Sequence, residues 1–148
     1  MAFVKKYRFL MFSGLALLAA YFINVEVQTY LGKQVLAEAG LESFGLEEAL
    51  AKAANNNKLV LVDVSAIWCP TCRALDKKVF SDPQVQATLA QKYVFSRLEY
   101  ESQQGQDFQK KYQVSGFPTL LVLDSGGRLV KKLRVTFEPG EFIGQLNI

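Results

Sequence analysis

The sequence contains no histidine, and only two of its 148 residues are cysteine. Without histidine, nucleophiles activated by a Cys-His or Ser-His pair are excluded, as are zinc and haem sites with a histidine ligand. Two cysteines cannot supply the four ligands of a closed structural zinc site within one chain. We therefore expect neither a bound metal nor a cofactor.

Acidic residues are absent before Glu26, whereas Lys5, Lys6 and Arg8 lie close to the N-terminus. These three cations account for the formal net charge of +3, because the rest of the chain has 14 basic and 14 acidic residues. The rest of the chain is neutral overall and lacks the clustered lysine and arginine of a nucleic-acid interface. We therefore expect no nucleic-acid partner.

An uncharged, mostly apolar run from Phe9 to Val25 follows the basic residues. This order is typical of a secretory signal peptide or an uncleaved signal anchor, which we assign to residues 1–25. Cleavage requires small residues one and three positions before the cut, but Ala19 and Ala20 each have a leucine two positions earlier. An anchor is therefore favoured, although about 17 residues is the lower limit for a spanning helix. The preceding cations predict that the remaining chain lies outside the cytoplasm.

The remainder of the chain predicts a tether at residues 26–40, partly helical, and one domain at residues 41–148. Within this domain, helical and strand patterns alternate before a closing hairpin and helix. We expect an extended piece at 41–44, helices at 46–54, 73–80, 83–90, 104–112 and 138–146, and strands at 58–65, 93–100, 120–123 and 128–135. This order predicts an α/β fold in which helices flank a central mixed sheet.

Cys69 and Cys72 lie between the apolar run 59–64 and a segment with helical spacing. A sulfur at the first turn of a helix faces unpaired backbone N–H groups and the positive end of the helix dipole, which stabilise a thiolate. The thiolate is the form that attacks disulfides. A Cys-x-x-Cys turn between a strand and a helix is therefore typical of a redox-active dithiol.

Two other uses of the cysteine pair stay open. A structural disulfide is weakly motivated, because a bridge across two residues closes a very small loop and gains little from chain entropy. A metal carrier would use the same thiolates, but the other soft ligands, Met1 and Met11, lie in the N-terminal segment.

Asp63 lies within the apolar run before the cysteines, among neighbours that we expect to be buried. Desolvation there would favour the neutral carboxyl group, which suits proton exchange with a thiol near neutral pH. The alternative is an ordinary polar residue at a solvent-facing strand position.

From about Leu41 to the C-terminus, the chain resembles the thioredoxin superfamily, and within it the C-terminal periplasmic domain of the DsbD-type thiol:disulfide interchange proteins. The resemblance rests on the segments Trp68–Cys72, Phe80–Gln86 and Gly116–Thr119. It implies a thioredoxin-like fold and an enzyme that exchanges thiols and disulfides.

The resemblance also implies roles for individual residues. It makes Cys69 the exposed nucleophile and Cys72 the resolving thiol of one redox disulfide, with Pro118 in the cis form beside them. Asp63 stands where the family keeps a buried acid that helps to move the proton of the second cysteine.

Two charged residues are candidate modulators on the same basis. Arg97 falls where thioredoxins carry a lysine near the buried acid, and Asp76 matches an acid near the active site of the DsbD-type domain. From the sequence alone, each is equally consistent with a solvated charge.

Substrate binding is expected around the two sulfurs, at Trp68, Pro70, Thr71, Gly116 and Phe117. The pair Pro70-Thr71 and the residue Ile67 before Trp68 depart from the family pattern. Because Pro70 has no N–H, one backbone donor is missing from the helix start, which leaves the reduction potential open.

The expected function is that of a reductase, in which Cys69 attacks a partner disulfide and Cys72 resolves the mixed disulfide. The expected location is the bacterial inner membrane, with one span and a domain that faces the periplasm. There a reductase needs an electron source, for which we expect a thiol-electron carrier in the membrane. A disulfide oxidase or isomerase and a non-catalytic, membrane-tethered interaction module stay open as alternatives.

Overall fold

A long N-terminal helix precedes a four-stranded sheet in the computed structural model of the chain. The structure describes the backbone of residues 2–148 and the side chains of Arg8 and of residues 11–148. The side chains of Lys5 and Lys6 lie outside the described residues.

Helices and strands alternate along the chain in the predicted order. They are α1 (Ala2–Ala39), α2 (Leu46–Asn56), β1 (Leu59–Ser65), α3 (Pro70–Leu75), α4 (Pro83–Lys92), β2 (Tyr93–Glu99), α5 (Gln103–Tyr112), β3 (Thr119–Leu123), β4 (Leu129–Leu133) and α6 (Pro139–Gln145). A π-helical segment, Asp76–Phe80, continues directly from α3. The observed bounds differ from the predicted ones by a few residues, and β4 is shorter than expected at both ends.

The sheet is mixed, as predicted, with the strand order β2-β1-β3-β4. β1 pairs in parallel with β2 and antiparallel with β3, and β3 pairs antiparallel with β4. The extended piece expected before α2 is present as a single parallel bridge between Phe44 and Ser96. β1 is therefore an interior strand, covered along both of its edges.

β1 is also buried on both faces, which explains its nearly continuous apolar sequence. Leu61 packs on one face with side chains of α3, α4 and α6, whereas Val60 and Val62 pack on the other with α2 and α5. Because side chains alternate along a strand, Asp63 and Ser65 share the face of Leu61. Two polar side chains are thus fixed beneath α3, at the carboxyl end of the strand.

The α1 helix extends beyond the apolar run and meets the domain. Met11–Ala39 is long and apolar enough to cross a membrane, a test that a signal sequence also passes. Residues 26–39, where we expected a partly helical tether, are helical throughout. Gln28 accepts a hydrogen bond from Arg73 Nη1 at 2.7 Å, and the carbonyl of Ala39 accepts one from Gln86. This part of α1 is therefore docked on the domain.

Gly32 permits a close backbone approach between α1 and the domain. A Cβ atom at this position would lie 2.0 Å from the carbonyl oxygen of Ile67, in the loop between β1 and α3. Only a residue without a side chain lets the two backbones touch in this way.

We expect Gly32→Ala to weaken the docking of α1 by about 1–3 kcal/mol, because the added methyl group overpacks a backbone contact. Hydrogen exchange of residues 28–39 in the detergent-solubilised chain should become faster by about 10-fold or more. Gly14→Ala is the matched control, because a Cβ at Gly14 of the same helix would meet nothing within 4 Å. Unchanged exchange in Gly32→Ala would show that α1 does not depend on this contact.

Candidate active site

The two cysteines lie where β1 turns into α3. Cys69 is the N-cap of α3, Pro70 is its first residue, and the backbone N–H of Cys72 donates to Cys69 Sγ at 3.2 Å. A proline is well placed at the first helical position, because its missing N–H would have no helical partner there. Both cysteines are free thiols in the structure.

Cys72 lies behind Cys69 and is 2% exposed. Burial, reinforced by a hydrogen bond with Cys69, raises the pKa of the Cys72 thiol to about 12. Cys72 is therefore protonated at neutral pH, so its use as a nucleophile requires a group that takes its proton.

Cys69 is less exposed than the family resemblance implies. It is only 5% exposed, within a cluster that includes Trp68, Tyr100 and Phe117. The ring of Phe117 lies edge-on to both other rings, with centroids 5.4 Å from Trp68 and 4.6 Å from Tyr100. The prediction of an exposed nucleophile is thus wrong for this structure, because Cys69 is buried in a cluster against which three aromatic side chains pack.

The second loop of the site contains the predicted cis proline. The peptide bond between Phe117 and Pro118 is cis, and Thr119 donates from its hydroxyl group to the carbonyl of Gly116 at 2.8 Å. Gly116, Phe117 and Pro118 are half-buried, whereas Pro70 and Thr71 across the site are exposed. Direct contact of Pro118 with the sulfurs and substrate binding by these residues stay predictions.

Beneath the cysteines, one arginine joins two buried carboxylates. Asp63 is 0% exposed, and its Oδ2 accepts from Arg97 Nε at 2.8 Å and from Nη2 at 2.6 Å. Arg97 Nη1 donates to Asp76 Oδ2 at 3.2 Å, and Nη2 also pairs with Asp76. The solvated alternatives for Asp63, Asp76 and Arg97 are therefore wrong. The buried carboxylate of Asp63 is also not isolated, because the guanidinium neutralises it.

Burial shifts the pKa values of Asp76 and Arg97 in opposite directions. Burial raises the pKa of Asp76, and repulsion from Asp63 adds to this, although the hydrogen bond and charge of Arg97 oppose it. Burial alone would lower the pKa of Arg97, but attraction to Asp63 and Asp76 outweighs it and the pKa is raised. The guanidinium therefore remains charged.

Ser65 and Glu99 belong to the site but were not identified from the sequence. Ser65 donates from its hydroxyl group to both carboxylate oxygens of Asp63, at 3.0 Å each. In the β1–β2 register, Asp63 faces Arg97 and Ser65 faces Glu99, so these four polar residues share one face of the sheet. The alternation of polar and apolar residues in 63–65 and 97–99 was the available signal.

Acidic side chains also hold the loop before Cys69. Glu99 accepts from the backbone N–H of Ile67 at 3.1 and 3.3 Å, and Glu101 accepts from Trp68 Nε1 at 3.3 Å. Burial raises the pKa of Glu99, against the effect of the Ile67 hydrogen bond. The conformation of the loop thus depends on one residue at the end of β2 and one just beyond it.

We expect Arg97→Met to lower the free energy of unfolding by about 3–5 kcal/mol at pH 7, because it leaves Asp63 and Asp76 buried without a cation. Urea titration of the detergent-solubilised chain, followed by the fluorescence of Trp68, the only tryptophan, measures this loss. An Arg97→Met chain as stable as the unchanged one would contradict the pairing.

Asp76→Asn is the matched control, and we expect it to be at least as stable as the unchanged chain at pH 7. Because the pKa of Asp76 is raised above its ordinary value of 3.8, the folded chain binds more protons than the unfolded chain just above that value. The stability contributed by Asp76 therefore falls as the pH rises through this window. The advantage of Asp76→Asn should disappear as the pH is lowered through it.

We expect iodoacetamide to modify Cys69 at least about 100-fold faster than Cys72 at pH 7, because a thiol with a pKa near 12 is ionised in only about one molecule in 10⁵. Peptide mass spectrometry of the reduced, folded chain over time measures both rates. Comparable rates would contradict the burial of Cys72 behind Cys69.

Comparisons with known proteins agree with this geometry. A model of the thioredoxin-like family matches residues 41–125. The chain is similar to the thiol:disulfide interchange protein DsbD of Actinobacillus pleuropneumoniae, with 34% identity over 105 residues. These residues are 69% of this chain but only 18% of that protein. The chain thus spans less than a fifth of the length of this curated relative.

Two solved structures share the fold. A thioredoxin from Thermus thermophilus has a TM-score of 0.65 and 29% identity, covering 72% of this chain and 84% of the thioredoxin. The oxidised C-terminal domain of DsbD from Neisseria meningitidis has a TM-score of 0.58 and 21% identity, covering 71% of this chain and 97% of the domain. With a family model that matches more than half of its residues, the chain belongs to the thioredoxin-like family.

Proposed function

We propose that the chain is a membrane-tethered, extracytoplasmic thiol:disulfide oxidoreductase that reduces disulfides of partner proteins. The observation that carries the proposal is the hydrogen bond from the backbone N–H of Cys72 to Cys69 Sγ at the start of α3. A backbone donor and the positive end of a helix favour the ionised form of the accepting sulfur. We therefore assign the attack on the partner disulfide to Cys69.

The reaction transfers two electrons to the partner. Cys69 Sγ attacks one sulfur of the partner disulfide, the partner S–S bond breaks, and the released sulfur leaves as a thiolate. Cys72 then loses its proton and attacks Cys69 Sγ. The mixed disulfide breaks, a Cys69–Cys72 disulfide forms, and the second partner sulfur is released. The partner is reduced, and the pair is oxidised.

The shape of the site supports a protein substrate. Pro70 and Thr71 are exposed beside the sulfurs, and the half-buried Trp68, Gly116 and Phe117 flank the same position. We assign these five residues to the docking of an extended segment that carries the disulfide. The similarity of the chain to a thiol:disulfide interchange protein agrees with this substrate class.

The membrane location is supported by α1. Its apolar side chains are highly exposed, and include Met11, Phe12, Leu15, Leu17, Leu18, Tyr21, Phe22 and Ile23. An apolar helical surface of this size is costly in water and stable in a bilayer. We assign residues 1–25 to a signal anchor of the bacterial inner membrane, with the domain in the periplasm.

The docking of α1 also suggests where the electrons come from. Gly32, which contacts the loop before Cys69, follows the apolar run by seven residues, or about 10 Å of helix. The active site thus lies close to the bilayer surface. Because the periplasm is oxidising, we assign the supply of electrons to a thiol-electron carrier within the membrane.

We expect a Cys72→Ser chain to accumulate mixed disulfides with periplasmic proteins, because Cys69 still attacks but nothing resolves the product. Acid quenching of whole cells, alkylation and non-reducing electrophoresis detect these species, and mass spectrometry identifies the partners. Cys69→Ser is the matched control, in which no mixed disulfide should form at the buried Cys72. If neither variant forms mixed disulfides, the chain is a non-catalytic interaction module.

A further inference from the structure

Ser65 connects the cavity beside Cys72 with the buried carboxylate of Asp63. It is 3% exposed, and its hydroxyl group donates to both carboxylate oxygens of Asp63 at 3.0 Å. Cys72 and Ser65 line the same cavity, whereas Asp63 is not among its lining residues. A hydroxyl group has one proton to donate and two lone pairs to accept with, so it can serve both neighbours at once.

The surroundings of Ser65 leave little room for another path. Ser65 and Cys72 line the same cavity of about 60 Å³, which holds no more than a few water molecules. Among the described residues of α1, those that line this cavity are Gly32 and Leu36, and neither titrates. The docked helix thus closes the cavity with residues that offer no proton acceptor.

We propose that Ser65 relays the proton of Cys72 to Asp63 in the resolving step. The proposal rests on the proposed function, because it concerns the attack of Cys72 on the mixed disulfide. The Cys72 S–H proton passes to Ser65 Oγ while the Ser65 hydroxyl proton passes to the carboxylate of Asp63. Cys72 Sγ then bonds to Cys69 Sγ, and the partner sulfur leaves with the electrons of the broken bond.

The other charged groups around Ser65 and Cys72 are poorer acceptors. They are Arg73 and Asp76 from the α3 side and Arg97 and Glu99 from β2. Both arginines are donors without an acceptor atom. Neither Glu99 nor Asp76 accepts a hydrogen bond from Ser65, whose hydroxyl group donates to Asp63. Asp63 is the carboxylate that Ser65 contacts directly.

The test is the reaction of the reduced, full chain in detergent micelles with the aromatic disulfide dithionitrobenzoate. Attack by Cys69 releases a first coloured thiolate, and resolution by Cys72 releases a second. We expect Ser65→Ala to leave the first phase unchanged and to slow the second by about 10-fold or more at pH 7. The deficit should shrink as the pH rises, because hydroxide ions then take the proton directly.

Three controls separate a relay from a structural role. Ser65→Thr keeps the hydroxyl group and should restore the second phase to within about twofold of the unchanged chain. Asp63→Asn should slow the second phase as much as Ser65→Ala, and the double variant should be no slower than either single one. If the chain without substitutions released no second coloured thiolate, that result would instead overturn the proposed function itself.

Three results would overturn the relay. One is a second phase in Ser65→Ala within about twofold of the unchanged chain, which would mean that cavity water or another carboxylate suffices. Another is a threonine variant with a normal first phase and no recovery of the second. The last is additive slowing in the double variant, which would place Ser65 and Asp63 on separate paths.

Discussion

The hydrogen bond from the backbone N–H of Cys72 to Cys69 Sγ is the constraint on which the site depends. It forms because β1 ends at Ser65 and α3 begins at Pro70, so that Cys69 caps the helix and Cys72 lies in its first turn. The two sulfurs therefore differ in environment although they are only two residues apart. One meets a backbone donor at the helix end, and the other lies against the buried sheet with a raised pKa.

Buried polar residues lie next to Cys72, the cysteine with the raised pKa. A thiol with a pKa near 12 cannot resolve a mixed disulfide at neutral pH unless its proton is removed. Asp63 and Ser65 lie beneath it because they share the face of β1 that α3 covers. A carboxylate in such a place needs a counterion, which Arg97 supplies from the paired position on β2.

Most of the fold could be predicted from the sequence. Apolar runs, alternation of strands and helices, and the turn residues predicted the mixed sheet and its element order, because β1 and its neighbours are buried in the way that such patterns require. The sequence also predicted that the cysteines lie between a strand and a helix. The cis form of Pro118 came from the family resemblance and not from composition, since most X-Pro bonds are trans.

The rest depends on contacts between residues distant in the chain. The pairing of Asp63 with Arg97 requires the parallel register of β1 and β2. The aromatic cluster beside Cys69 requires contact between Phe117 and Tyr100. The docking of α1 was missed because residues 26–39 have no strong hydrophobic period. It is docked by a backbone contact at Gly32 and by hydrogen bonds of Gln28 and Ala39, which leave no apolar pattern to detect.

The direction of electron flow follows from how strongly the reduced pair is stabilised. Strong oxidants hold their reduced form tightly, so a reductase requires a reduced pair that is less strongly stabilised. The reduction potential of the Cys69–Cys72 pair, measured by equilibrating the full chain with dithiothreitol buffers, tests this most directly. We predict a value in the thioredoxin range, at about −270 mV. A value near about −120 mV, typical of a dedicated oxidant, would contradict the account.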